Sequence, residues 1–128
     1  NGYAATDPAG LCPTGWHVPT DGDWTALETF LANAGYSSAE GTALKASTGW
    51  IDGGSGSDAV GFSALPGGNR NIYTGNFFAA GRLGYWWSST VYGNSAFYRG
   101  LDSDSPTISS GTYGLRRGFS VRCLRDAE

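Results

Sequence analysis

The stretch "RLGYWWSST" (Arg82–Thr90) sets three aromatic residues, Tyr85, Trp86 and Trp87, side by side. Neighbours in a β-strand point to opposite faces. Alternation groups Tyr85, Trp87 and Ser89 on one face, and Trp86, Ser88 and Thr90 on the other. A sheet covered on one side buries only one of the two tryptophans. The other then stacks on a ligand, covers a second core or lies under a loop.

The 128-residue chain has the length of one domain and suffices for a single core. It contains no Met and does not begin with one, so a domain of a longer polypeptide is expected. With 21 Gly, abundant aromatic residues and a single lysine, Lys45, it reads as many short strands and tight turns. The aromatics supply core area, which argues against disorder. No run of about 18 apolar residues is present, so no membrane span is expected. The net charge is −3, divided unevenly. Residues 1–69 hold one Lys against seven acids, and residues 70–128 seven Arg against four acids. The acidic total and the lack of a basic cluster argue against a nucleic-acid partner.

Helix signals are confined to the first third. In "HVPTDGDWTALETFLANAG" (17–35), Thr20 and Asp23 form a capping-box pattern with Asp in place of Glu. Trp24, Leu27 and Leu31 recur at helical spacing with Phe30 beside them, and Gly35 closes the helix. "SSAEGTALKAS" (37–47) suits a second, short helix capped by Ser37 or Ser38 and weakened by Gly41. Residues 1–15 read as loop. Strands are expected at 72–74, 84–90, 95–102 and 118–125, the last with Phe119, Val121 and Cys123 on one face. Helices followed by strands predict one α+β domain over residues 1–128, with an antiparallel sheet.

Cys12 and Cys123 are the only cysteines. A bridge between them would close a loop of about 110 residues, with an upper stabilisation of ~4.7 kcal/mol. That reading favours an extracytoplasmic location; the remaining one is two free, buried thiols. A metal site needs more Cys or His than the chain offers.

Four stretches resemble the Fibrobacter succinogenes major paralogous domain: "CPTGWHVPTDGDWTAL" (12–27), "GFSALPGGNR" (61–70), "GYWWSST" (84–90) and "GFSVRCLRD" (118–126). The resemblance implies a domain of bacterial surface or secreted proteins with a C-type lectin-like fold. That fold is shared with formylglycine-generating enzyme and with the variable proteins of diversity-generating retroelements. It implies adjacent terminal strands, in agreement with a Cys12–Cys123 bridge, two helices and a loop-rich half that presents a ligand surface. In such a two-sided fold both tryptophans are buried, as the floor of the site. The segment after them, "VYGNSAFYRGLDSDSPTISSGTYGLRR" (91–117), corresponds to the family's variable spacer and, in diversified relatives, to the ligand-binding region.

No enzyme is expected. His17 is the only histidine and reads as structural, and a nucleophile–base–acid arrangement cannot be assembled around it. The redox-active cysteine pair of the formylglycine-generating relatives is not matched. Calcium is the one cofactor left open, at Asp52 and Asp58 of "DGGSGSD" or, as an alternative, at Asp102 and Asp104 of "DSD", although a solvated loop is the favoured reading for each. Binding residues are expected among Tyr92, Asn94, Phe97, Tyr98 and Arg99, with Asp102 and Asp104 nearby. Thr107, Thr112, Tyr113 and Arg116 complete the set. Tyr gives contact area at small entropy cost and short polar residues give adaptable hydrogen bonds. The expected partner is a protein or glycan on another surface; the alternative is a structural spacer.

Overall fold

The structure, a computed structural model, describes residues 1–127. Its helices come first: α1 (Gly2–Thr6), α2 (Asp21–Leu31), a π-helical turn (Ala32–Tyr36) and α3 (Glu40–Leu44), with β1 (Trp16–His17) between the first two. Six strands follow from β2 to β7: β2 (Asn69–Arg70), β3 (Phe77–Phe78), β4 (Leu83–Tyr92), β5 (Ser95–Asp102), β6 (Ser109–Gly114) and β7 (Leu124–Arg125). The class is α+β. All strand pairs are antiparallel: β1 with β7, β2 with β3, and a three-stranded sheet in the order β4-β5-β6.

The sheet is covered on both faces. Trp86 joins Trp24, Leu31, Leu44, Trp50 and Leu101 in one core, under α2 and α3. Trp87 points the other way into a second core with Ala5, Val18 and Ala96, closed by Tyr98, Phe119 and Val121. Trp87 is 0% exposed and Trp86 6%. Both tryptophans are core, one for each face.

The capping box forms: Thr20 Oγ1 accepts from the Asp23 amide at 3.0 Å, and the Asp23 carboxylate accepts from the Thr20 amide at 2.9 Å. Phe30, beside the helix's apolar stripe, is left exposed. Gly35 takes φ 97° where the helical run ends. α3 differs from expectation at its start. Neither Ser37 nor Ser38 caps it; the N-cap is Ala39, and Ser38 N–H instead donates to Glu40 Oε1 at 3.0 Å. Gly41 has a packing reason, because a Cβ there would stand 2.5 Å from the Thr107 carbonyl.

Four other expectations are corrected. Residues 2–6 of the supposed N-terminal loop form α1, capped by the Asn1 side chain; five residues are too few to show a periodicity. Residues 72–74 are a turn, because Asn71 Oδ1 accepts from both the Tyr73 and Thr74 amides. β6 lies within the presumed loop and is recruited by the neighbouring β5 despite its Ser- and Gly-rich sequence. Finally, 118–125 is no continuous strand. Gly118 pairs with Arg70, Ser120 bonds the backbone of Tyr85 and Trp87, and only Leu124–Arg125 pair with β1. The alternation persists, since Phe119 and Val121 both pack inward. The hydrogen bonds, however, go to three different partners.

Cys12 and Cys123 form a disulfide beside the β1·β7 pair, across a sequence separation of 111. Two buried cations pin the sheet to the helices. Arg99, 3% exposed, donates to Asp21 at 2.6 Å, to Glu28 at 2.8 Å and to Thr25 at 3.3 Å. Lys45 Nζ donates to the carbonyls of Asp102 at 2.9 Å and Ser105 at 3.0 Å. Burial pushes the Lys45 ammonium below its usual pKa.

Candidate ligand-binding surface

The expected binding residues fall at two ends of the sheet. At one end is the β4–β5 turn, whose tip carries Tyr92 and Asn94. Register places Ser95 opposite Gly114 and Phe97 opposite Thr112, and the Leu115 amide donates to the Asn94 carbonyl at 3.4 Å. The tip therefore stands beside the end of β6 with Thr112 and Tyr113, whereas Arg116 lies with Tyr3, Arg70 and Asn71 at a cavity behind the β2–β3 turn. Tyr92 is 68% exposed and rests edge-on against the half-buried Phe97, with ring centroids 6.1 Å apart. Tyr113 is partly exposed beneath the Arg117 guanidinium, which lies 4.4 Å from its ring centroid and donates to its hydroxyl at 2.7 Å. Arg117 also donates to Asn69 Oδ1 at 2.9 Å. This orients the Tyr113 ring and ties the end of β6 to β2.

Below this surface lies a cluster of rings. Tyr98, Tyr85, Tyr113 and Trp87 all surround Phe119, with centroids 4.4–5.7 Å from it. Burial raises the Tyr85 phenol pKa, with Tyr98 adding to the rise. Offset and edge-on ring pairs of this kind add about 0.5–1.5 kcal/mol each beyond area burial. Tyr98 therefore supports the surface from below more than it faces solvent. Arg99 stands apart from the set, its guanidinium taken up by Asp21 and Glu28.

Asp102, Asp104 and Thr107 lie at the opposite end of β5. Asp102 and Asp104 pair with Arg82 at 3.8 and 3.4 Å, and Asp102 also accepts from the Asp104 amide. The Thr107 amide donates to Ser105 Oγ at 3.2 Å, and Thr107 lies against α3. These contacts shape a loop, and the residues do not converge with the tip.

Asp52 and Asp58 occupy left-handed turn positions, with φ 53° and 48°. The Asp58 carboxylate accepts from the Ser63 amide and hydroxyl, both at 2.6 Å, which holds its pKa below the usual range. Among the described residues no group of three or more His, Cys, Asp or Glu is arranged to hold a metal ion. His17 lies between two carboxylates, Nδ1 to Asp126 at 2.6 Å and Nε2 to Asp23 at 2.9 Å. The Asp126 and Asp23 hydrogen bonds raise its pKa above 6.5, and it works as a clamp from α2 to the end of β7.

The family model of the Fibrobacter succinogenes major domain matches residues 1–125. The chain belongs to this family. No curated protein and no solved structure matches it significantly. No helix among the described residues of this major domain is long and apolar enough to cross a membrane.

Residue types in 91–117 pointed to the tip, but the hairpin of β2 and β3 was overlooked. It displays Tyr73, Phe77 and Phe78 to solvent. The signal was present as an Asn-rich turn, "NRNIYTGN", running directly into two adjacent phenylalanines.

Proposed function

We propose that this domain is a non-catalytic recognition module of C-type lectin-like fold, carried outside the cell, whose 91–117 segment meets a protein or glycan ligand. One observation carries the reading. Tyr92, Asn94, Thr112 and Tyr113 gather at one end of a sheet whose next layer, Trp87 and Phe119, is packed and rigid. Rigid aromatics beside short polar side chains suit a site that can change its contacts without refolding. Every exposed position of the tip can vary while both cores stay intact. The disulfide supports the extracellular part of the proposal, because such bridges persist in oxidising compartments.

A spacer role is the second reading. The disulfide and the β1·β7 pair close the domain without help from any ligand, as a structural unit would need.

Sequencing the locus in sibling strains separates the two. The recognition reading predicts substitutions concentrated at Tyr92, Asn94 and Thr112, with Trp86, Trp87 and Phe119 unchanged. Substitutions spread evenly over all exposed positions would reject a diversified surface and favour the spacer.

A further inference from the structure

The hairpin of β2 and β3 lies outside the 91–117 segment and is built with care for rigidity. Its turn is closed by two amides donating to Asn71 Oδ1 and by Gly75 N–H donating to the Asn71 carbonyl at 3.1 Å. Its inner strand, β2, is tied down by the reciprocal Arg70–Gly118 backbone bonds, at 2.8 and 3.1 Å. On this fixed support Tyr73 is 86% exposed and Phe77 75%. Such rings, free of core duty, mark an interaction site.

Behind the turn lies a cavity of about 400 Å³ lined by Tyr3, Arg70, Asn71, Ile72, Arg116 and Gly118. Two arginines line it, and among the described residues no acidic residue does. Elsewhere arginines are engaged: Arg82 and Arg99 by carboxylates, Arg117 by Asn69 and Tyr113, and Arg122 by the Phe62 carbonyl and ring. Arg70 uses only Nε, donating to the Gly75 carbonyl at 2.9 Å, and Arg116 has no hydrogen bond or ion pair among the described residues. In a chain of net charge −3, two cations with no acidic partner among the described residues share one cavity. Asn71 accepts through Oδ1, which leaves its amide NH2 as a further donor. The charged and amide side chains of the cavity thus offer donors to a ligand rich in anionic oxygens.

We propose that this cavity binds a uronate-bearing saccharide, with Arg70 and Arg116 on the carboxylate and the exposed rings beside it receiving the pyranose. Arg70 combines both functions, since its guanidinium lies 5.7 Å from the Phe77 ring centroid. The flat C–H face of a sugar matches an aromatic face, whose electron-rich π-system attracts the slightly positive C–H groups. An acidic peptide would satisfy the arginines but leave the rings without a flat partner. The inference goes beyond the recognition surface proposed above: Arg116 lies in the same segment, but the cavity shares no residue with the hairpin tip.

The test is an NMR titration of the whole domain with trigalacturonate, its fully methyl-esterified form and a hexaglutamate peptide. Expected are shift changes at residues 70–77 and 116–118 with trigalacturonate, weakening as salt rises. The ester should bind about tenfold more weakly or worse, as should trigalacturonate to Arg116→Ala, from the loss of a charged hydrogen bond. Arg116 has no hydrogen bond or ion pair among the described residues, so this variant should keep its fold; Arg70→Gln and Tyr73→Ala should also weaken binding. Tyr92→Ala should leave it unchanged. Absence of trigalacturonate binding, indifference to Arg116→Ala and Arg70→Gln, or equal binding of hexaglutamate would overturn the inference. Loss of binding in Tyr92→Ala would move the sugar to the hairpin tip and overturn it equally. A ligand captured by the tip with no uronate bound here would sink this proposal alone.

Discussion

Trp87 and Tyr92 stand five positions apart in one strand and serve opposite purposes. Trp87 fills the second core; Tyr92 ends the strand in solvent. Trp87→Ala should lower unfolding free energy by about 3–5 kcal/mol in a urea titration, the cost of emptying a fully buried indole site. Tyr92→Ala should change it by no more than about 0.5 kcal/mol, as for other surface positions. Arg99 shows how a residue type can mislead. In sequence it belongs to an aromatic, polar hairpin, yet its place on the helix-covered face brings it between Asp21 and Glu28. No local pattern announces a partner seventy residues away. Arg99→Ala leaves two carboxylates facing each other without their cation. It should cost about 3 kcal/mol, read from the same titration.

At the scale of elements, α2 was legible because its capping box and its Trp24–Leu27–Leu31 spacing are local and mutually consistent. Thr20→Ala should cost about 1 kcal/mol of stability, the usual value of a lost N-cap. The short strands were less legible, because the chain recruits them by long-range contact. β6 forms only because β5 offers it an edge, and 118–120 lies beside β4 without a ladder of its own. Gly68 illustrates the constraint such close approaches impose: it takes φ 68°, and a Cβ there would collide with the Phe78 carbonyl. The His17 clamp couples α2 to the end of β7, and its sign can be worked out. The folded-state pKa of His17 is raised above 6.5, so its stabilisation is fully present below pH 6.5. It fades as the pH rises through the folded-state value. For Asp23, burial pushes the pKa up, but bonds from Thr20 and His17 outweigh it and bring the value below 3.8. That contribution is present above pH 3.8 and lost as the pH falls through the lowered value. The wild type should therefore exceed His17→Gln in urea midpoint most clearly between about pH 4 and 6.5. The gap should close on the alkaline side. Both partners are partly exposed, so it should stay within about 1 kcal/mol.

For the whole molecule, the two-sided sheet explains the paired tryptophans, and the β1·β7 pair explains why cysteines near opposite ends of the sequence meet. The chain ends were legible together, through the single possible cysteine pair and the family resemblance. The surface was legible only in part. Residue types identified the 91–117 segment, but only the register brings Tyr92, Asn94 and Thr112 to one end of the sheet, while Asp102 and Asp104 leave with Arg82 and Arg116 lines the cavity at Arg70. The hairpin at 69–78 escaped because its rings follow a turn whose Asx geometry decides their exposure. The central claim is that the hairpin tip recognises a ligand, and its most direct measurement is a protein and glycan array probed with and without calcium. The wild-type domain is compared with Tyr92→Ala/Asn94→Ala/Thr112→Ala, which spares both cores and the cavity at Arg70. The account predicts at least one array ligand bound by the wild type and weakened about tenfold or more in the triple variant. Binding of every captured ligand undiminished by the three substitutions would contradict it.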